Sequence, residues 1–248
     1  MRFASRWFLS RREQEQGSAG DTERTMSNEL LQRLGSLDTA CLCDADKALQ
    51  VGLRVMSSEI RPLCPGLKMA GYAHTVRCHN DFLTVIKALH DAQRQEIIVI
   101  DSQNSTKALT GELFPTEAAR KGLAGIVNDG PCRDTAAVRE IGLPYFARTA
   151  CPVPGTTNQL FQTQVPIQCG GVTVHPDDVL VGDDDGILVA TSQEFEQLIP
   201  LAEEIQGKEE RMLRRMSTGT GLLEMLNFEE HCDRIKKGEA SRLEFKVE

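Results

Sequence analysis

The residues best suited to chemistry are a consecutive arginine and aspartate, Arg133 and Asp134, which close the segment Asn128-Asp129-Gly130-Pro131-Cys132-Arg133-Asp134. A guanidinium is planar and permanently charged, so Arg133 can hold a carboxylate or a developing enolate oxygen, while the Asp134 carboxylate is a hard oxygen ligand for a divalent cation. A second segment, Gly111-Glu112-Leu113-Phe114, opens a helix-like stretch. A glycine there lets an anion approach the backbone, and free N–H groups at a helix start favour negative charge. Each feature alone has a plainer reading. An Arg-Asp pair before a helical run is commonly an N-cap carboxylate beside a solvated arginine, and Glu112 by itself is a first-turn acid stabilised by the helix dipole. Together, just beyond two expected strand ends, they describe a site of the kind that α/β proteins place outside the carboxyl ends of their strands.

The elements that must position these residues are read from periodicity. Leu30, Leu31, Leu34 and Leu37 predict a helix over 28–37 with Ser27 as its cap, and Asp38 or Thr39 offers a cap for a second helix ending at Leu49. Strand-like pieces follow at 58–61, 68–78 and 96–101, with a helix expected at 81–93. The chain then alternates: helix 111–121, strand 123–128, helix 134–141, strand 144–149. That alternation predicts an α/β fold with a partly parallel sheet covered by helices. Residues 165–190 are Gly-rich and short-stranded, which predicts hairpins closing into a barrel-like or sandwich layer. A long charged helix is expected over 192–216, then a turn, a short amphipathic helix and a tail.

Composition limits the function classes. The 248 residues, 40% of them hydrophobic, suit one sizeable core, expected over 27–216 with appendages at 1–26 and 217–248. Acidic residues outnumber basic ones 36 to 28, a net charge of -8 that disfavours nucleic acid and anionic membrane surfaces as partners. No apolar run approaches the roughly 20 residues of a membrane-spanning helix. Eight cysteines are scattered without C-x-x-C spacing, pointing to reduced thiols and a cytoplasmic protein. Residues 1–12 hold four arginines and no acid, the composition of a mitochondrial transit peptide; the plainer reading is a disordered leader joined by a polar linker to a unit starting near Ser27. Asp183, Asp184 and Asp185 before Gly186 read as a tight turn rather than a metal cluster. The five histidines lack ligand spacing, and Lys107 and Lys121 read as surface residues, so no Schiff-base lysine is expected.

Three stretches in order, GELFPTEAARKGLAGIVNDGPCRD, LPYFAR and VPIQCGGVTVHPDDVLVGDDDGILV, resemble the RraA-like family, which includes the 4-hydroxy-4-methyl-2-oxoglutarate aldolases. The resemblance runs from about Leu34 to Ala190. It implies a swivelling β/β/α domain with helical N- and C-terminal extensions, assembled as a homotrimer or homohexamer with active sites between subunits. It also implies a lyase using Mg2+ or Mn2+ that cleaves a 4-hydroxy-2-oxo acid to pyruvate, with oxaloacetate decarboxylation alongside. Residue by residue, the resemblance makes Gly111, Glu112, Leu113 and Phe114 the cradle for the substrate carboxylate, Arg133 the contact to substrate and enolate, and Asp134 the direct metal ligand. Glu112 stands where the aldolases carry an Asp that orders a water near the metal. A further metal-site carboxylate is implied from the C-terminal helix of a neighbouring subunit; Glu209 is the nearest candidate, with Glu203, Glu204 and Glu210 on the same helix. The chain departs from the family at Arg94-Gln95-Glu96 and Pro176-Asp177-Asp178, where Pro-Gly-Asp is common. Some relatives are non-catalytic proteins that bind and inhibit an RNA-processing enzyme, which is the alternative reading; the Gly111-Glu112 turn with Arg133-Asp134 favours the enzyme.

Overall fold

A computed structural model describes residues 28–246, so the expected leader or targeting segment, its linker and the Ser27 cap lie outside the described residues. The interior is decided by strands that are apolar on both faces. In β4 (Glu96–Asp101), Ile98 and Ile100 face one way and Ile97 and Val99 the other, all fully buried. The two-residue pleat therefore feeds two cores at once, as parallel strands covered on both sides must. Each such side chain contributes roughly 1.5–3 kcal/mol by leaving water.

The strands are β1 (Arg54–Val55), β2 (Arg61–Pro62), β3 (Met69–Arg77), β4, β5 (Gly125–Cys132), β6 (Tyr145–Ala150), β7 (Ile167–Cys169), β8 (Val172–Val174), β9 (Val179–Gly182) and β10 (Ile187–Ala190). Eight of them form one mixed sheet in the order β1-β10-β9-β3-β4-β5-β6-β2, and β7 and β8 form a separate ribbon. Neighbours from β3 to β6 are parallel; the outer pairs are antiparallel. Helices α3 (Leu83–Asp91), α4 (Leu113–Lys121) and α5 (Thr135–Glu140) cover the parallel part over Ile98, Ile100, Ile126 and Tyr145. The first described helix, α1 (28–36), packs with α2 (Thr39–Leu49) and α6 (Ser192–Ser217) over the β9–β10 hairpin. On the opposite face, the β7–β8 ribbon closes a third cluster around Val99, Val127, Phe146 and Leu180. The α/β expectation holds as a helix layer, a sheet and a β ribbon, with helices added at both ends; the last of them is α7 (Phe228–Lys236).

Several local expectations change. Residues 58–60 form a turn instead of a strand, because Ile60 N–H donates to the Ser57 carbonyl (3.0 Å) and Glu59 N–H to Ser57 Oγ (3.3 Å). Asp38 occupies the N-cap of α2 without capping it; its carboxylate pairs with Lys68. The Gly-rich region does not build one layer of its own, since β9 and β10 join the main sheet and only β7–β8 stands apart. The three aspartates do make the β9–β10 turn: Asp183 accepts from Thr39 and from Asp185 N–H, and Asp184 from Gly66 N–H.

One buried carboxylate ties the loop after β6 to the helical face. Asp81 accepts Thr156 Oγ1 (2.7 Å) and the N–H groups of Asn158 (2.6 Å), Gln159 (3.2 Å) and Leu83 (3.0 Å). Burial alone would raise its pKa, but these donors outweigh it and hold the carboxyl below its ordinary value of 3.8. A group held low in the folded state stabilises it fully above the unfolded-state value and loses that contribution as pH falls through the folded value. Asp81→Asn is expected to lower stability by about 1.5–3 kcal/mol at neutral pH in urea melts, and the difference should shrink once pH drops below 3.8.

Candidate active site

β5 continues past its last pairing with β4, Ile100 with Asn128, and each strand leads into one half of the site. The chain that follows β4 comes to lie beside the end of β5 and runs in the same direction: Leu109 N–H donates to the Pro131 carbonyl (3.1 Å) and Arg133 N–H to that of Thr110 (3.0 Å), with Thr110 and Cys132 paired in parallel. This register sets Gly111 against Arg133 and Asp134. A Cβ at position 111 would lie 2.4 Å from Asp134 Oδ2 and 3.1 Å from Arg133 Nε, so only glycine leaves room.

Asp134 takes the N-cap position of α5 but makes no cap bond, and its backbone is left-handed, at φ 56° and ψ 32°. A non-glycine residue there costs on the order of 1–3 kcal/mol, with Asp among the more tolerant types. Its carboxylate turns instead toward the other segment, where Oδ2 accepts Glu112 N–H (3.3 Å) and lies 3.3 Å from Arg133 Nε. The Arg133 and Asp134 side chains stay 43% and 38% exposed, open to a ligand from solvent. Together with Phe82, Leu109, Leu113, Phe114 and Pro154 they line a small depression of ≈ 30 Å³. Within the 111–114 turn, Phe114 N–H donates to the Gly111 carbonyl (3.2 Å). The Gly111 and Leu113 N–H groups have no partner among the described residues.

Beneath this turn lies a buried polar network. β5 carries a bulge between Asn128 and Pro131, and Asn128 Nδ2 spans it, donating to the Pro131 carbonyl (3.0 Å) and to Thr110 Oγ1 (3.3 Å). Thr110 Oγ1 also hydrogen-bonds Tyr145 Oη. All three residues are at most 2% exposed. Burial pushes the Tyr145 phenol well above its ordinary value, so it stays protonated as a hydrogen-bond partner. Burial likewise pushes the Cys132 thiol up to about 11, which removes it as a nucleophile despite its place beside Arg133.

Of the residues singled out from sequence, Gly111, Leu113, Phe114, Arg133 and Asp134 converge on the depression. Glu112 joins through its backbone; its side chain is exposed and is not part of the lining. Glu209 does not meet them within the chain. It is exposed on α6 beside α2, accepting from Cys41 Sγ at 3.5 Å, while Glu203, Glu204 and Glu210 pair with Arg33, Lys208 and Arg214. Among the described residues no group of three His, Cys, Asp or Glu gathers to hold a metal. The partly exposed Asp134 carboxylate above a glycine nevertheless fits a hard divalent ion, because Mg2+ keeps most of its waters and accepts one or two protein carboxylates. Sequence reading missed Phe82 and Pro154 on the wall and Thr110 and Tyr145 beneath the turn. Only an in-strand Asn before Asp-Gly-Pro hinted at the bulge.

The profile of the RraA-like family, described as Aldolase/RraA, matches residues 39–189. The chain belongs to the RraA-like family. A Halalkalibacterium halodurans protein provisionally named a 4-hydroxy-4-methyl-2-oxoglutarate aldolase is 32% identical over 191 residues, covering 76% of this chain and 89% of that protein. Among solved structures, Streptomyces coelicolor RraAS2, described as an unusual member of the RNase ES inhibitor RraA family, superposes with TM-score 0.67 and 28% identity over 75% of this chain and 98% of that one. The Thermus RNA-processing inhibitor RraA does so with TM-score 0.56 and 28% identity over 60% and 90%. In this RraA-like chain the matched region begins with α2 and ends in β10, so α1 and the segments from α6 onward extend it. Gly111→Ala should displace the Asp134 carboxylate while leaving the buried core untouched. On the lyase reading argued below, the expected outcome is a roughly 100-fold loss of turnover with little change in melting temperature, read by steady-state kinetics and calorimetry.

Proposed function

We propose that this RraA-like chain is a divalent-cation-dependent lyase that cleaves a 4-hydroxy-2-oxo acid to pyruvate and also decarboxylates oxaloacetate. The observation that carries this reading is the meeting of the Asp134 carboxylate and the Arg133 guanidinium against the Cβ-free turn at Gly111. The aldolase name of a relative 32% identical to the chain supports it. Asp134 would hold Mg2+ or Mn2+, and Glu209 of a neighbouring subunit would add a carboxylate in a homotrimer or homohexamer. Such an ion supplies electrophilic polarisation of the substrate's oxo and carboxylate oxygens.

The chain's own groups do the rest. The free N–H groups of Gly111 and Leu113 receive the substrate carboxylate at the start of α4, where the helix end favours negative charge. Arg133 faces the oxo oxygen and stabilises the enolate charge that grows on it as the bond between the third and fourth carbons breaks. Glu112, exposed at the rim, positions the water that moves the proton between the 4-hydroxyl and the departing enolate. In oxaloacetate the same enolate forms as carbon dioxide leaves.

The competing reading is a regulatory binding protein, favoured by the inhibitor names of two solved relatives. A pyruvate assay separates the two. Oxaloacetate and 4-hydroxy-4-methyl-2-oxoglutarate should each yield pyruvate with added Mg2+ or Mn2+ and not with excess chelator. Arg133→Ala and Asp134→Ala should each lower kcat/KM by roughly 100- to 1,000-fold while retaining the wild-type melting temperature. Near-normal turnover in either variant would refute the assigned roles, and silence of the wild-type chain on both substrates would favour the binder.

A further inference from the structure

Two residues stand immediately before the paired segments of the site: Thr110 before Gly111, and Cys132 before Arg133. Both are buried, and both touch one phenol. The Tyr145 hydroxyl hydrogen-bonds Thr110 Oγ1 and lies against the Cys132 thiol and the Asn128 amide. It arrives from the far side of β5. Tyr145 starts β6, whose Ala150 pairs with Cys132 along one edge of β5, while Thr110 pairs with Cys132 along the other. One hydroxyl therefore joins three adjoining segments at the level where the site begins. Every group in this arrangement belongs to a single chain, so none of it waits on what a neighbouring subunit supplies.

Core packing alone does not call for this polarity. Tyr145 belongs to the apolar cluster of Ile98, Ile100 and Ile126, where a phenylalanine would fill nearly the same volume without burying a hydroxyl. Asn128 is fully buried within a strand, and its Oδ1 has no partner among the described residues, an uncompensated cost. Departures of this kind from an apolar interior are expected where function requires them. What the network touches is the seam between the two segments: the Thr110 carbonyl accepts Arg133 N–H, and the Pro131 carbonyl accepts Leu109 N–H. Movement of Thr110 would carry Gly111 against Asp134, whose Oδ2 already fills the space of a Cβ.

We propose that Tyr145 is a positioning residue: its hydroxyl, acting through Thr110, fixes the register of the Gly111 turn against Arg133 and Asp134 and so holds the Asp134 carboxylate in the pose that binds a divalent cation. The inference rests on the lyase reading for its cation and deepens that reading. Tyr145 is not among the residues lining the depression, so its effect is transmitted rather than direct. Such ions demand near-regular coordination and tolerate little displacement of a ligand. Groups that orient a metal ligand from behind are worth about 10- to 100-fold in metal affinity or activity.

Binding and hydrogen exchange test this without depending on turnover. Tyr145→Phe and Thr110→Val each remove one hydroxyl with little change of volume, and either variant carries the test if the other does not fold. In the full chain, each should weaken Mn2+ binding by about ten-fold or more, read by electron paramagnetic resonance of the free ion. Thr110→Ser, which keeps the hydroxyl, should recover most of the affinity lost in Thr110→Val. Because both losses act through one contact, the double variant should bind Mn2+ within about two-fold of the weaker single variant. Without any metal, exchange of the Arg133 amide, which is bonded to the Thr110 carbonyl, should quicken by about ten-fold in both variants, while the amides of β4 keep their protection. Ile97→Val, a core truncation on the opposite face of β4, is the control: it should lower the melting temperature and leave Mn2+ affinity unchanged. Unchanged Mn2+ affinity or unchanged Arg133 exchange in the hydroxyl variants overturns the inference even if pyruvate is released. An equal loss of affinity in Ile97→Val overturns it as well, because the effect is then one of general stability. A wild-type chain that shows these differences and yields no pyruvate overturns the lyase reading and leaves the role of Tyr145 standing. Failure of the wild-type chain to bind Mn2+ overturns both.

Discussion

At the carboxyl ends of β4 and β5, one carboxylate oxygen occupies the volume that a side chain at position 111 would need. Much of the local structure serves that contact. It requires glycine on one strand's continuation and a left-handed backbone at Asp134 on the other, so that the carboxylate leaves the helix it would ordinarily cap. It also requires the two continuations to lie in register, which the Leu109, Thr110 and Arg133 backbone hydrogen bonds enforce. The bulge at 128–131 brings β5 into that register, and Asn128 holds the bulge by bonding across it. Asn128 Nδ2, Thr110 Oγ1 and Tyr145 Oη are linked beneath the exposed Arg and Asp, while Asn128 Oδ1 has no partner among the described residues, so the network is only partly satisfied.

The sheet supplies the stiffness behind it. Because β4 buries both of its faces, a slip of one residue would exchange two complete sets of branched side chains between two cores, so its register is strongly specified. Loops that leave such a strand inherit a fixed starting point. Asp81 does the equivalent service for the opposite wall, gathering the loop at 156–159 with a single carboxylate beside Phe82. The depression is therefore bounded by segments that are irregular in conformation and still anchored at both ends.

The parts of the fold legible in the sequence are those governed by period. The residues Glu96 to Asp101 announce a buried strand, the leucines of α1 announce a helix, and the alternation after them announces a parallel sheet. What stayed hidden was decided by side chains bonding to the backbone. Asn-Asp-Gly-Pro reads as the end of a strand, yet the strand continues to Cys132 because Asn128 carries it through the bulge. Asp134 reads as a cap, and only the register opposite Gly111 explains why it is not one. The candidate site residues Arg133 and Asp134 were visible because they are adjacent in sequence. Phe82 and Pro154 were not, since they reach the depression from separate loops and carry no motif.

The chain's overall charge gives the site a particular task. At a net charge of -8 the summed field opposes an approaching anion, but at physiological ionic strength that field is screened beyond about 8 Å. For the 2-oxo acid proposed above, recognition would then be settled at contact distance, by a guanidinium and a few N–H groups acting where water is partly excluded. A half-exposed arginine backed by hydrocarbon meets that demand better than a fully solvated one, because its attraction strengthens as the ligand displaces water from the apolar side. The hydrocarbon wall and Arg133 are in this sense one device: the first sets the dielectric in which the second operates.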